Sequence, residues 1–498
     1  KASRLKINLH SLNCAPMRCV DYQRVPVELV GHPLEEEQDE GSAICIEPIK
    51  AEAREISSTS VRIQWSAATC EADLPPSVAG LSRFDAFANF SISALGSGIV
   101  LFPRIMADTG MLTASGLLLL STLIGYICGL LLLECCGMAE RIKGMPQGSL
   151  SGYEAMVEEA LGTLGKGVLA ISKNMYFSGI IVVYFIFLTE AMSVWLASFI
   201  SAIAIRWCVV LPIFLGLAML RDLTIVARFA VIGISAGVIQ SLGLCIGGLY
   251  ELVFGNRPNA HPKEYLIADL PISFSKLGPA FSTFVFGFGC IGTLPSLRLE
   301  MANVGDLPVA LGKSMFVVTS TYMIVMWVGY LAFAGQVHSD FITSIGGDGC
   351  QGFQCVVGSV SALSLIVNLI ISMPNFLFCI IKFFENTGTS ELHRPLTPPN
   401  ILCRAALIVA MCFASHRLSY AKQIISILSA IFAVFNNILF PIGCYHALLK
   451  AEAGGQRTLQ ADSTTLTKHA LIVALGLFTM VFGIQGGVTN LVEAMHHS

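Results

Sequence analysis

The chain has 498 residues, 54% of them hydrophobic and 13% charged, with 30 Lys and Arg against 33 Asp and Glu. That charged fraction, against roughly 25% in soluble domains, and a mean hydropathy of +0.71 exclude a soluble globular protein. A net charge of −3 offers no basic footprint for nucleic acid.

Residues 1–83 are polar and mixed, with an acidic run at Glu35, Glu36, Glu37, Asp39 and Glu40. They carry no signal-peptide pattern and no sustained helical period, and read as a flexible cytosolic tail. Beyond them the apolar residues gather into runs near the roughly 20 residues that cross about 30 Å of hydrocarbon. The first, 84–103, is interrupted by Gly96, Ser97 and Gly98 and closed by Pro103. Spans at 111–134, 167–200, 207–220 and 223–254 follow, the third long enough to tilt strongly or project beyond the bilayer. The sixth, 272–297, holds Gly287, Gly289 and Gly292 in its middle, with Pro295 after them. The rest are 314–334, 355–381, 401–415, 423–449 and 470–489. The fourth and ninth are short, and the ninth contains Arg404. The chain is thus an all-α polytopic membrane protein of about eleven transmembrane helices.

With the N-terminus inside, the loops and helix ends beyond the tail carry fourteen Lys and Arg on the inner side and seven on the outer. The positive-inside rule then predicts a cytosolic N-terminus and, with eleven spans, an outward C-terminus. Most of the 16 cysteines, such as Cys128 and Cys290, lie within apolar runs and act as small hydrophobes. Cys350 and Cys355 fall in a Gly-rich outer loop and are candidates for a local disulfide.

Glycine weakens a helix interior by roughly 1 kcal/mol relative to alanine, so the first and sixth spans are expected to unwind midway. Irregular backbone at membrane depth is tolerated where it lines a cavity, and its freed amides and carbonyls can hold a ligand. Breaks five spans apart predict two inverted five-helix halves, 84–254 and 272–449, with 470–489 added outside the repeat. Isolated glycine pairs such as Gly125/Gly129, Gly233/Gly237 and Gly243/Gly247 fit close helix packing instead. The candidates facing a substrate are Ala94, Gly96, Ser97, Gly98, Phe286, Gly287 and Gly289, joined by Tyr176 from the third span. Glu190, an acid within an apolar run, is either a proton carrier or a residue of the headgroup zone. Arg298 and Glu300 end the sixth span, as gate charges or as ordinary interfacial ones.

The stretch Asn89-Phe-Ser-Ile-Ser-Ala-Leu-Gly-Ser-Gly-Ile-Val-Leu-Phe-Pro103 is similar to the first span of the sodium-coupled neutral amino acid transporters. From residue 84 to 489 the chain resembles the amino acid/auxin permease family, within the amino acid–polyamine–organocation superfamily. Ser372-Met-Pro374 and Phe435-Asn-Asn-Ile-Leu-Phe-Pro441 with Tyr445 echo the family's later helices more loosely. The resemblance implies a LeuT-like five-plus-five repeat and transport of amino acids with sodium ions or protons. It makes Asn89 and Ser372 candidate sodium ligands, with Asn368 a competing one, and the Gly96–Gly98 bend the receiver of the substrate's amino and carboxylate groups. The outer loops lack the cysteine pair of the sodium-coupled relatives, and the sixth span departs from theirs.

The expected function is secondary active transport of amino acids, by sodium or proton symport with alternating access. A sensor using the same pocket with little flux is the alternative. An enzyme is excluded because the ten histidines are scattered through tails and loops. No cofactor beyond the coupling ion is expected. The unit is expected to be monomeric, in a plasma, lysosomal or vacuolar membrane.

Overall fold

The structure, a computed structural model, describes residues 80–150, 152–220, 223–255, 274–338, 340–347, 352–385, 397–417, 421–453 and 463–497. The expected tail lies outside the described residues up to position 79. Its last residues belong to the fold: Leu81 forms a parallel bridge with Met301, its amide donating to the Glu300 carbonyl at 2.6 Å.

Helix α1 follows, in the pieces Arg83–Ala94, Ser97–Val100 and Phe102–Thr109. A capping box starts it: the Asp85 amide donates to Ser82 Oγ at 3.2 Å, and the Ser82 amide donates to the Asp85 carboxylate at 3.0 Å. Pro103 does not close the span, contrary to the sequence expectation. It sits in the first turn of the third piece, where a proline forfeits no helical hydrogen bond.

Next come α2 (Met111–Lys143), α3 (Tyr153–Leu196), α4 (Ala202–Ala218) and α5 (Leu223–Phe254). The length of α3 has a local cause. Gly162 takes φ 73° and ψ −172°, which kinks the helix and sets residues 153–161 apart from the apolar run. Helix α6 repeats the layout of α1 as Phe274–Gly287, a 3₁₀ turn Gly289–Thr293, and Leu294–Glu300, with Pro295 in the first turn of the last piece.

Helices α7 (Leu307–Phe333), α8 (Phe353–Glu385) and α9 (Pro398–Arg417) follow. Helix α10 is Ala421–Leu428, two π-helical stretches Ser429–Ala433 and Phe435–Leu439, and Phe440–Glu452; α11 is Ser463–His497. Among the described residues there are no strands, and nine helices are long and apolar enough to cross a membrane. The protein is an all-helical, multi-pass integral membrane protein.

Burial separates the centre from the rim. The apolar windows of α6 and α3 are 89% and 72% buried, those of α9 and α11 only 28% and 33%. Helix α8 lies against α5 and α3, α7 against α1 and α5, and α11 against α6. The paired glycines pack as expected: a Cβ on Gly125 would lie 3.0 Å from Ile291, and one on Gly247 would lie 2.7 Å from Ile345.

Candidate functional site

The last α-helical bond of the first piece of α1 is Leu95 N–H to Ser91 O, at 2.8 Å. Gly96 then turns to φ −70°, ψ −135°, and the carbonyls of Ala94 and Leu95 lose their helical donors. Both find others. The Tyr322 hydroxyl of α7 bonds the Ala94 carbonyl, and Asn368 Nδ2 of α8 donates to the Leu95 carbonyl at 3.0 Å.

The same Tyr322 oxygen lies 3.4 Å from the carbonyl of Gly287, where α6 breaks. A hydroxyl has one proton, so Tyr322 stands between two freed carbonyls and favours the Ala94 side. Phe102 holds it there, its ring centroid 4.6 Å from Tyr322 and 4.9 Å from Phe284, edge-on to both. Glycine lets the broken segments approach: a Cβ on Gly98 would be 3.7 Å from the Gly287 Cα.

Between the breaks lies a cavity lined by Ser93, Ala94, Gly96, Tyr184, Phe286 and Gly289, among others, with about 20 Å³ of room. That is about one water molecule. Tyr176 packs against Gly289 of the cavity wall, its buried hydroxyl without a hydrogen-bond partner and so near that a Cβ on Gly289 would overlap it. On the other side a Cβ on Gly96 would lie 3.0 Å from the Tyr184 hydroxyl, which accepts from Ser372 Oγ at 3.3 Å.

The structure therefore gathers Ala94, Gly96, Phe286 and Gly289 at one cavity, with Tyr176 against Gly289 outside that lining and Gly98 and Gly287 where the two breaks meet. Ser97 opens the 3₁₀ segment of α1. Asn368 and Ser372 come to the α1 break from α8, and Asn368 Oδ1 is buried without a partner. Asn89 lies about two turns before the break, half-buried, its carbonyl accepting from Ser93 Oγ at 2.9 Å. Glu190 is apart from the cavity, with an exposed side chain near the Leu196 end of α3. Cys355 is disulfide-bonded, and Cys350 lies outside the described residues.

Arg298 forks onto Glu140 of α2, with Nη2 2.7 Å from Oε2 and the second contact shorter still. Their side chains are 6% and 1% exposed, so this is a buried pair and not an interfacial one. Glu140 also accepts from the Leu150 amide at 3.2 Å. Sequence reading missed Tyr322, Tyr184 and Glu140. Each is a polar residue with no motif around it, and only the helix crossing gives it a partner.

Two discontinuous helices sharing one tyrosine inside a bundle of membrane-length helices define a polytopic protein of the broken-helix class. Residues 79–489 match the family described as transmembrane amino acid transporter protein, and the chain belongs to that family. It is similar to the amino acid transporter AVT3A of Arabidopsis thaliana, 26% identical over 294 residues, 58% of this chain. The chain spans 65% of the length of that curated relative. The fold is also that of a manganese transporter from Eremococcus coleocola, solved with an aromatic bis-isothiourea substituted compound. That likeness has a TM-score of 0.50 at 12% identity and covers 82% of this chain and 87% of the other, so it concerns fold alone.

Proposed function

We propose that the chain is a secondary active transporter that carries amino acids across a membrane by symport with a cation, through alternating access. The observation that carries this reading is the meeting of the two breaks. Ala94, Leu95 and Gly287 present backbone carbonyls in the buried interior within hydrogen-bond reach of Tyr322 or Asn368. Such carbonyls suit a substrate ammonium group or a small hard cation, and the amides that open the following helical pieces suit a carboxylate. The room of about 20 Å³ is too small for an amino acid, so the described conformation is read as one between substrate-loaded states.

In this reading α1 and α4 also cross the bilayer, giving eleven spans with α1–α5 and α6–α10 as inverted halves. The N-terminus is cytosolic by the charge bias. Asn368 Oδ1, buried without a partner, is the first candidate ligand for a coupling sodium ion, the alternative coupling ion being a proton, with Ser372 beside it and Asn89 further off. The test is uptake of a labelled amino-acid panel into proteoliposomes under imposed sodium or proton gradients. Gradient-driven accumulation is expected; ligand binding without flux under either gradient would make the protein a sensor.

A further inference from the structure

Helix α10 carries two adjacent amides that no hydrogen bond accounts for. Asn436 and Asn437 are each 2% exposed, and the side-chain oxygen and nitrogen of both lack a partner. Four unsatisfied amide atoms in a membrane interior are costly, because each group has given up water for nothing. They lie in the π-helical stretch Phe435–Leu439, a distortion frequent at functional positions. The Tyr153 hydroxyl donates to the Asn436 carbonyl at 2.6 Å, which anchors the stretch from α3 but leaves both side chains unspent.

Their position ties them to the cavity. A Cβ on Gly292 would lie 3.5 Å from Asn437 Oδ1. Gly292 belongs to the same 3₁₀ turn as Gly289 and Cys290, which border the cavity. Tyr176, with its own unpartnered hydroxyl, stands against that turn at Gly289. The cavity walls at Ile180, Phe286 and Phe376 offer a polar side chain nothing. An amino acid needs more room than the cavity has, and the single turn Gly289–Thr293 borders the cavity at Gly289 and Cys290 and meets Asn437 at Gly292.

The chemistry selects the guest. A cation would satisfy only the two oxygens and an anion only the two nitrogens. A carboxamide both donates and accepts, and so can satisfy the oxygen and the nitrogen of an asparagine amide together. We propose that Asn436 and Asn437 form the side-chain subsite of the transported amino acid and that this subsite takes a neutral carboxamide, as on glutamine or asparagine. The inference rests on the transport reading above.

The test compares glutamine, asparagine, methionine and leucine on the full-length protein, wild type and with Asn436→Leu, Asn437→Leu or both, by uptake into proteoliposomes. The amides have no partners to lose, so leucine at these positions is compatible with folding; Asn437→Ser serves as a milder second variant. Wild type is expected to take glutamine with a KM about 10-fold or more below that of methionine, and Asn437→Leu to raise the glutamine KM about 10- to 100-fold while leaving methionine unchanged. An equal loss for all four amino acids would overturn the inference, because it would mean that the amides hold structural water. No wild-type preference for carboxamides would overturn it as well.

If no amino acid is transported under any gradient, the transport reading fails, and the subsite is judged by thermal shift of the purified protein. Stabilisation by glutamine that is absent with methionine and lost in Asn437→Leu supports it; equal or no stabilisation by both overturns it.

Discussion

Arg206 and Arg404 perform the same task for each other's helices. Arg206, near the start of α4, donates to the Ser415 carbonyl in the last turn of α9 at 2.9 Å. Arg404, near the start of α9, donates to the Ala218 carbonyl at the end of α4 at 2.9 Å, and to Leu220 just beyond at 3.3 Å. A helix ends with unsatisfied carbonyls and partial negative charge, and each guanidinium supplies donors where its neighbour lacks them. The reciprocity is what the two inverted halves proposed above would produce.

Replacing Arg404 by Leu leaves those carbonyls without a donor and should cost about 1–3 kcal/mol. The melting temperature of the detergent-solubilised protein is expected to fall, and Arg206→Leu should lower it similarly. The caps sit at opposite ends of the helix pair, so the two losses should add. Unchanged melting in both variants would mean that water or detergent headgroups cap these ends.

Tyr322→Phe removes one oxygen and keeps the ring packed against Phe102. The Ala94 carbonyl then keeps only the Gly96 amide, 2.7 Å away, and the Gly287 carbonyl loses its neighbour, a loss of about 1–3 kcal/mol at the point where α1 and α6 meet. Initial uptake rates in proteoliposomes should drop at least about tenfold, the equivalent of about 1.4 kcal/mol. Wild-type rates in this variant would show that the shared hydroxyl is incidental.

Asn368→Leu replaces both the donor to Leu95 and the unpartnered Oδ1. The concentration of coupling ion giving half-maximal uptake should rise about tenfold or more, whereas Ser372→Ala, whose hydroxyl has other partners at 3.3 Å, should have a smaller effect. The measurement is uptake against ion concentration at fixed substrate. An unchanged ion dependence in Asn368→Leu would remove that residue from the coupling site.

Glu140→Gln should destabilise strongly, by about 3–5 kcal/mol, because it strands a buried guanidinium. The double variant Glu140→Met with Arg298→Met should recover much of that loss. A double-mutant cycle on thermal unfolding reads the coupling directly; a coupling near zero would mean that solvent reaches the pair.

The two breaks were legible in the sequence because Gly96, Gly98, Gly287, Gly289 and Gly292 interrupt long apolar runs, a local signal. Pro103 was misread because proline looks the same in a list of residues whether it ends a helix or opens one. Only the preceding 3₁₀ turn decides which. Arg404 made its span look doubtful, since a charge in an apolar run is expensive on its own. Its reward lies on α4, far away in sequence. Tyr322 and Glu140 were invisible for the same reason: each depends on a partner more than a hundred residues away, and hydropathy carries no trace of that distance.

The bridge between Leu81 and Met301 has a mechanical corollary. The 79 residues that precede Gly80 reach α1 only by way of a peptide stitched to the end of α6, and Arg83 adds an ion pair to Asp306 just before α7. Tension on the leading polypeptide would thus be felt by both discontinuous helices together.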